Sequence, residues 1–235
     1  MAVYACSDLH GMKNLYDKIC NFLNPDDTVY FLGDATDRGP QSWETFKAIA
    51  ANPQFIFIKG NHEDMLHKAM IEQYSDFGDD YWGGAYSLLC YNEGYETFES
   101  WLAEGADRKW IAYIRDLPTY KTYINKQGQT IHLSHAGFNY KEGEPIPPPK
   151  GLMWNRNHIR INPDKMFPPV SNEKNIIVHG HTPIPTITHC ENLIGILTYA
   201  DGTKINIDTG AYYTKYITLL DLDTFSEYQF WDEEK

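Results

Sequence analysis

Short apolar runs alternate with longer segments of helical periodicity in the first 73 residues of the chain. The apolar runs have the length of buried strands and cover residues 2–6, 28–32 and 55–58. Helices are predicted over residues 12–22, 40–51 and 63–73. In the first two, apolar positions recur every three or four residues, and Pro40 suits the first turn of the second. This βαβαβ order predicts parallel strands joined by right-handed crossovers.

After residue 121 the apolar period changes to two, which is typical of strands. The strand candidates cover residues 122–125, 130–134, 175–178, 193–199, 204–207, 216–220 and 227–231. Residues 126–129, between the first two candidates, predict a hairpin turn, and the proline-containing residues 140–169 predict a loop. A β-rich second half favours a second sheet packed on the first, with helices outside.

The middle segment, residues 74–118, is rich in aromatic side chains and is predicted to form short helices over one edge of the strand ends. Its length and aromatic content suit a specificity cap, although an ordinary helical insertion has the same pattern. With 235 residues, the chain is long enough for one sizeable core. We therefore predict a single domain over residues 1–235, with residues 74–118 as a helical, cap-like insertion.

Composition narrows the class of protein. The net charge of −12 opposes binding to a nucleic-acid backbone or an anionic membrane, so neither is expected as a partner. No segment approaches the roughly 20 apolar residues of a membrane span. The first residues lack a basic region followed by an apolar run, because Asp8 and His10 come at once, so no export signal is expected. The four cysteines are scattered without a paired motif, which indicates a cytoplasmic location and argues against a thiolate metal site.

Polar residues follow each of the first three predicted strands. Asp8-Leu9-His10-Gly11 follows the first strand, Asp34 and the run Asp37-Arg38-Gly39 follow the second, and Gly60-Asn61-His62-Glu63 follows the third. Open α/β sheets bind their ligands at the carboxyl ends of strands. A solvated turn that caps the next helix is the alternative for Asp37-Arg38-Gly39. The recurrence at three successive strands favours a functional site.

Two later motifs add imidazole groups, Ser134-His135-Ala136-Gly137 and His179-Gly180-His181-Thr182. Oxygen and nitrogen donors of this kind suit Mn²⁺, Fe or Zn²⁺. The candidate metal ligands are Asp8, His10, Asp34, Asn61, His135 and His181. Asp34 leaves the central strand and could bridge two ions, as carboxylates do in dinuclear hydrolases.

Together these five motifs resemble the signatures of the calcineurin-like metallophosphoesterases. Within that superfamily they resemble the serine/threonine phosphoprotein phosphatases, and most of all the bacteriophage-lambda-type branch. The segments Trp154-Asn155-Arg156 and Ile207-Asp208-Thr209-Gly210-Ala211 are also similar to that branch. The resemblance implies an α/β (α+β) metallophosphoesterase fold, a four-layer αββα sandwich of two mixed sheets.

The resemblance also implies a role for each site residue. Asp8 and His10 would hold one ion, Asp34 would bridge, and the second ion would be held by Asn61, His135 and His181. Arg38, Arg156 and Asn61 would bind phosphate oxygens, because a planar guanidinium matches phosphate in a bidentate manner. His62 would protonate the leaving alcohol, oriented by Asp37.

The function implied is hydrolysis of phosphomonoesters, including phosphoserine and phosphothreonine in proteins, by direct attack of a metal-bridging hydroxide. The cofactors would be two divalent ions, Mn²⁺ first, with Fe or Zn²⁺ as alternatives. A symmetrical dinucleoside polyphosphate hydrolase shares these motifs and is the alternative enzyme. A non-catalytic binding module is disfavoured because every residue needed for the chemistry is present. The acidic residues 74–118 favour a phosphorylated protein or small phosphomonoester over a tetraphosphate chain.

Overall fold

The computed structural model describes residues 1–74, 84–141, 144–146, 151–156, 175–190, 194–199 and 202–232. The strands in these ranges are β1 (Val3–Cys6), β2 (Thr28–Phe31), β3 (Phe55–Phe57), β4 (Tyr120–Ile124), β5 (Thr130–Ser134), β6 (Asn139–Lys141), β7 (Glu144–Ile146), β8 (Asn175–His179), β9 (Leu197–Tyr199), β10 (Lys204–Asn206), β11 (Tyr216–Asp221) and β12 (Glu227–Trp231). The helices are α1 (Lys13–Phe22), α2 (Ser42–Ala51), α3 (Asn61–Glu72), α4 (Gly84–Tyr91), α5 (Tyr95–Ala103), α6 (Lys109–Asp116), α7 (Gly151–Trp154), α8 (Ile184–Thr188) and α9 (Ala211–Thr214). None of the helices in these ranges is long and apolar enough to cross a membrane.

The first sheet has the strand order β12-β11-β1-β2-β3. Strands β1, β2 and β3 pair in parallel, which confirms the predicted βαβαβ unit. Strand β11 pairs antiparallel with β1, and β12 pairs antiparallel with β11. The C-terminal strands therefore complete a mixed sheet that the N-terminal segment begins.

The second sheet has the order β4-β5-β8-β10-β9. The predicted hairpin forms β4 and β5, and β5, β8 and β10 are parallel to one another. Two predictions were wrong in part. Strand β9 begins at Leu197, later than expected, and the predicted loop over 140–169 includes β6, β7 and α7 within the described part of that range.

Alternation along β1 shows how the layers pack. Val3 and Ala5 lie in the core between the two sheets, whereas Tyr4 and Cys6 face the helices. The core between the sheets takes residues from both: Val3, Ala5, Leu32, Ile58, Ile131, Leu133, Ile176, Val178, Ile205, Ile207, Leu220 and Leu222. Strand β1 thus buries apolar side chains on both faces. Two mixed sheets with flanking helices confirm the predicted fold class.

Helices α4, α5 and α6 pack on the same core as α1, α2 and α3. Leu89, Phe98, Trp101 and Ile114 are fully buried in the cluster that lies on the outer face of the first sheet. The described part of residues 74–118 therefore shares its apolar core with the βαβαβ unit. Its role as a specificity cap stays a prediction, as does the single-domain assignment.

Two glycines let the ends of β2 and β3 approach each other. Gly33 has a φ of +90°, and a Cβ at this position would lie 2.5 Å from Gly60 Cα. Any side chain would force the two backbones apart. The close approach sets Asp34, the next residue, beside the start of α3.

We predict that Gly33→Ala lowers the free energy of unfolding by about 2–5 kcal/mol, because it adds a steric clash to left-handed backbone strain. Gly202→Ala is the matched control, since Gly202 also has a positive φ (+83°) but open space around it. That control should cost only about 1–2 kcal/mol. Urea unfolding of both variants measures the difference, and equal losses would contradict the close-approach argument.

Candidate metal centre

Loops from both sheets converge at the carboxyl ends of the strands. Backbone hydrogen bonds tie the loops after β1 and β2 together, from Asp8 N–H to Gly33 O (3.0 Å) and from His10 N–H to Asp34 O (3.0 Å). In the second sheet, Gly180 N–H donates to His135 O at 2.8 Å. The loops that carry the candidate residues therefore meet at the carboxyl ends of the parallel strands.

Several site residues have left-handed backbone conformations. The non-glycine residues with positive φ include Asp8 (56°), His10 (43°), Asp34 (59°), Asp37 (71°), Arg38 (68°) and His181 (75°). Residues other than glycine rarely adopt such values, which cost on the order of 1–3 kcal/mol each and cluster at functional sites. The fold therefore holds these six side chains at a conformational cost.

The Asp34 carboxylate is the centre of the arrangement. Its Oδ2 lies 3.3 Å from His135 Nε2, 3.7 Å from His10 Nε2 and 3.9 Å from His62 Nε2. Two groups of side chains could each hold a metal ion: His10, Asp34 and His62, and Asp34, His135 and His181. Asp34 is common to both groups, as expected for a bridging ligand.

Backbone carbonyls fix the ring orientations of His10 and His135. His10 Nδ1 lies 2.8 Å from Thr36 O, and His135 Nδ1 lies 2.7 Å from Leu32 O. A carbonyl oxygen can only accept a hydrogen bond, so Nδ1 carries the proton in both rings. Each Nε2 therefore faces the interior of the site, and metal-binding histidines usually have their other ring nitrogen hydrogen-bonded in this way.

Asn61 and His181 meet at His135. Nε2 of His135 lies 2.8 Å from Asn61 Oδ1 and 3.1 Å from His181 Nδ1. The Nε atom of Arg156 donates to His181 Nε2 at 3.0 Å, so His181 turns Nδ1 toward Asp34 and His135. These contacts bring together three of the predicted ligands of one ion.

Asp8 lies beside this cluster with its carboxylate engaged elsewhere. Its Oδ2 accepts a hydrogen bond from the Ser7 hydroxyl and another from His181 N–H at 3.1 Å. Asp8 belongs to neither group described above, among the residues that the structure covers. Burial raises the pKa of Asp8 to about 6; protonated His135 opposes this and Asp34 reinforces it.

Charges at the centre favour an anionic Asp34. Burial acts to raise the pKa of Asp34, but His135 and His62 outweigh it and hold the pKa well below the usual value. Burial also acts against protonation of His135, yet Asp34 and Asp8 raise its pKa to about 10. Its Nε2 proton therefore lies among the oxygen and nitrogen atoms of Asp34, Asn61 and His181, where a cation can replace it.

His10 and His181 are neutral. Burial lowers the pKa of His10 far below its ordinary value, and positive charge on His62 and Arg38 adds to the effect. Burial, with the positive charge of His135 adding to it, likewise lowers the pKa of His181 far below its ordinary value. Neutral imidazole is the form that binds a metal ion.

Asp37 and His62 form a buried pair. Asp37 Oδ2 lies 2.7 Å from His62 Nδ1, and both side chains are at most 1% exposed. Burial alone would lower the pKa of His62, but Asp34 and Asp37 outweigh it and raise the pKa. The pair thus has the geometry and charge of a proton donor oriented by a carboxylate.

Two arginines contact the imidazole groups. Arg38 Nη1 lies 2.9 Å from His10 Nε2, and Arg38 Nη2 lies 3.1 Å from His62 Nε2. Arg156 contacts His181, as described above. The two arginines predicted to bind phosphate therefore contact different histidines of the site: Arg38 contacts His10 and His62, and Arg156 contacts His181.

Sequence reasoning assigned no role to Glu63, which supports the Asp34 loop. Its carboxylate accepts hydrogen bonds from the N–H groups of Asp34 (2.8 Å), Ala35 (2.8 Å) and Gly60 (2.9 Å). Burial, with Asp34 adding to it, raises the pKa of Glu63 to about 7. A glutamate three residues after the N-cap of a helix is the capping-box signal that could have identified it.

Asp208 is a second buried carboxylate that received no role. It is 1% exposed and accepts a hydrogen bond from Gly210 N–H at 2.9 Å. Burial, with Asp8 adding to it, raises the pKa of Asp208 well above its usual value.

The sequence left the roles of His179 and His158 open. His179 is buried and its Nε2 contacts the Tyr199 hydroxyl. His158 lies outside the described residues.

Comparison with known proteins matches residues 1–216 to the calcineurin-like phosphoesterase family. The chain is 29% identical over 124 residues to the symmetrical bis(5'-nucleosyl)-tetraphosphatase of Aromatoleum aromaticum, a match that covers 50% of this chain and 39% of the relative. A protein of the same name from Xanthomonas axonopodis pv. citri is 33% identical over 67 residues, 27% of this chain and 21% of the relative. The matches thus span less than half the length of these relatives.

Solved structures share the fold at low sequence identity. A candidate diadenosine tetraphosphatase matches with a TM-score of 0.65 and 16% identity over 99% of this chain and 94% of its own. A metallophosphoesterase from Sphaerobacter thermophilus matches with a TM-score of 0.60 and 15% identity over 100% and 90% of the two chains. The family match includes every strand that carries a site residue, so this chain belongs to the calcineurin-like phosphoesterases.

Proposed function

We propose that this protein is a dinuclear-metal phosphatase that hydrolyses phosphomonoesters, with phosphoserine and phosphothreonine side chains of proteins as its substrate class. We place it nearest the bacteriophage-lambda-type branch of the protein phosphatases. The observation that carries the proposal is the position of Asp34, which belongs to two buried ligand groups at once. Family membership supports the coarser statement that the chain is a metal-dependent phosphoric ester hydrolase.

The donor set suits two divalent cations of the first transition series. In the proposal Asp8, His10 and Asp34 would hold one ion, and Asp34, Asn61, His135 and His181 would hold the other. Mixed carboxylate, amide and imidazole donors favour Mn²⁺, with Fe or Zn²⁺ as alternatives. Such ions supply Lewis-acid polarisation of the phosphoryl group and lower the pKa of bound water.

The proton donor in the proposal is His62. Asp37 accepts the Nδ1 proton of His62, which leaves Nε2 to deliver a proton to the leaving oxygen. Arg38 Nη2 lies 3.1 Å from that same Nε2. A phosphate bound by the Arg38 guanidinium would therefore have its ester oxygen beside the proton donor.

Phosphate binding is assigned to Arg38, Arg156 and Asn61. Guanidinium groups match the geometry of phosphate oxygens and stabilise the charge that develops on them during transfer. Both arginines already stand beside imidazoles of the proposed site. Binding of a phosphate would exchange these neutral partners for charged oxygens.

Charge on helices α5 and α6 supports a monoester over a tetraphosphate chain. The basic residues on or just before α6 are each engaged by a neighbouring side chain. Arg108 stacks 4.0 Å from the Tyr74 ring centroid. Lys109 pairs with Asp107 (2.9 Å), and Arg115 pairs with Asp116 (2.7 Å). Three acidic residues, Glu93, Glu96 and Glu99, lie on or just before α5. This balance opposes a ligand with several negative charges.

Hydrolysis of symmetrical dinucleoside tetraphosphates is the second candidate, because the curated relatives that match this chain carry that activity in their names. Steady-state kinetics with Mn²⁺ can separate the two. The substrates are a phosphoserine peptide and diadenosine tetraphosphate at one pH and low salt. A tenfold higher kcat/KM for the peptide supports the proposal. A tenfold preference for the dinucleotide, about 1.4 kcal/mol, would reverse the assignment.

We predict that Asp34→Asn abolishes binding of two ions and reduces hydrolysis by more than about 100-fold, since loss of outer-shell partners alone costs about 10–100-fold. Elemental analysis after equilibration with Mn²⁺ should find two ions in the wild type and fewer in the variant. Asp17→Asn is the control, because Asp17 is half-exposed and pairs with Lys13 on helix α1. An Asp34→Asn variant that keeps both ions and full activity would refute the shared-ligand scheme.

We predict that His62→Asn lowers kcat for alkyl phosphates by roughly 10²–10⁴, the usual contribution of a general acid. The loss should be much smaller for p-nitrophenyl phosphate, whose leaving group needs no proton. His189→Asn is the control, because His189 is exposed and its φ of 53° suits asparagine. Equal losses on the two substrates would assign His62 an electrostatic role.

A further inference from the structure

Helix α5 reaches into the site at Asp37. The Thr97 hydroxyl donates to Asp37 Oδ1 at 2.7 Å, and Thr97 Oγ1 accepts a hydrogen bond from Asp37 N–H at 3.2 Å. Thr97 is 1% exposed and Asp37 is fully buried, so these bonds are shielded from water. One side chain of the helical segment thus holds both the backbone and the carboxylate of Asp37.

Two further contacts join the α4–α5 connection to the same loop. Arg38 N–H donates to Glu93 O at 3.2 Å. A Cβ on Gly94 would lie 2.9 Å from Asp37 Oδ2 and would clash with the Leu89 side chain, so the backbone passes directly against the carboxylate. The segment therefore packs against Asp37 and Arg38, two residues held at positive φ.

The two carboxylate oxygens of Asp37 have different hydrogen-bond partners. Oδ2 binds His62 Nδ1, and Oδ1 binds the Thr97 hydroxyl. A buried carboxylate that loses one partner keeps an unsatisfied oxygen, and rotation of the group would bring that oxygen toward its remaining donors. Without the Thr97 hydroxyl, the plane of the carboxylate, and with it the orientation of His62, would be set less firmly.

We propose that Thr97 is a positioning residue for the proton donor: its hydroxyl fixes the Asp37 carboxylate so that Asp37 aims His62 at the leaving oxygen. This inference rests on the proposed function, in which His62 protonates the leaving group. It gives the α4–α5 segment a part in catalysis that is separate from substrate selection. Thr97 acts through Asp37 and has no contact with substrate in this scheme.

The test is Thr97→Val, which keeps the shape of the side chain and removes the hydroxyl. We expect kcat for a phosphoserine peptide to fall about tenfold, a part of the roughly 10²–10⁴ that a general acid contributes. For p-nitrophenyl phosphate the change should stay below about twofold, and KM should be unchanged for both substrates. Thr97→Ser should restore the peptide activity, because it restores the hydroxyl.

Ser100→Ala is the matched control on the same helix. Its hydroxyl donates to the backbone of its own helix, at Glu96 O (2.8 Å), on the exposed side of α5. This variant should retain full activity on both substrates. In an Asp37→Asn background, Thr97→Val should add less than about twofold, because the two residues act in series.

A proton NMR measurement with Zn²⁺ gives a readout that is independent of turnover. The signal of the His62 Nδ1 proton should shift in Thr97→Val and return in Thr97→Ser. Four results would each overturn the proposal. The first is an equal loss of kcat on both substrates in Thr97→Val, and the second is a Thr97→Ser variant that is as impaired as Thr97→Val. The third is an unshifted His62 Nδ1 proton signal, and the fourth is full additivity of the kcat losses of Thr97→Val and Asp37→Asn. Loss of folding in both Thr97→Val and Thr97→Ala would assign Thr97 a structural role instead. A wild type that cleaves no phosphate ester would refute the proposed function and leave the NMR result to decide the Thr97–Asp37–His62 contact.

Discussion

The structure depends on one constraint, the burial of the Asp34 carboxylate among histidines at the junction of the two sheets. Asp34 lies 3.3 Å from His135, which the second sheet contributes, and 3.7 Å from His10, which the first contributes. Burial of a carboxylate costs several kcal/mol unless charges or hydrogen bonds compensate it. Here His135 supplies the charge, and Glu63 holds the backbone on which Asp34 sits. A cation at this position would satisfy the same requirement.

Backbone geometry shows how the fold meets that requirement. Six site residues have positive φ, and Gly33 lets the ends of β2 and β3 pass within contact distance. These conformations cost free energy, and the packed core between the sheets compensates for it. The group of Asp34, His135 and His181 exists only when both sheets are in place, because His135 and His181 follow strands of the second sheet and Asp34 follows a strand of the first. Assembly of the site is therefore coupled to packing of the two sheets.

The helical segment that follows α3 is packed together with the βαβαβ unit and contacts the candidate metal centre. Its core residues pack with those of α1 to α3, and Thr97 bonds Asp37 directly. In the proposed phosphatase this contact links an acidic, aromatic surface to the proton donor. Substrate selection and acid catalysis would then depend on one packed unit, so substitutions in α5 would change the reaction without contact with phosphate.

The sequence by itself determined the βαβαβ order, the hairpin and the edge where the site lies, because apolar periodicity and strand-end motifs are local signals. It also identified His10, Asp34, His62, His135 and His181, each of which lies within a few residues of the carboxyl end of a strand or in the first turn of the following helix. It could not reveal that Thr97 holds Asp37, that Glu63 caps the Asp34 loop, or that Arg156 turns His181, since these contacts join distant positions. Nor could it show that the Asp8 carboxylate accepts a hydrogen bond from His181 N–H. Only the tertiary structure decided those contacts, because side-chain partners across 25 to 173 positions depend on how the sheets and helices pack.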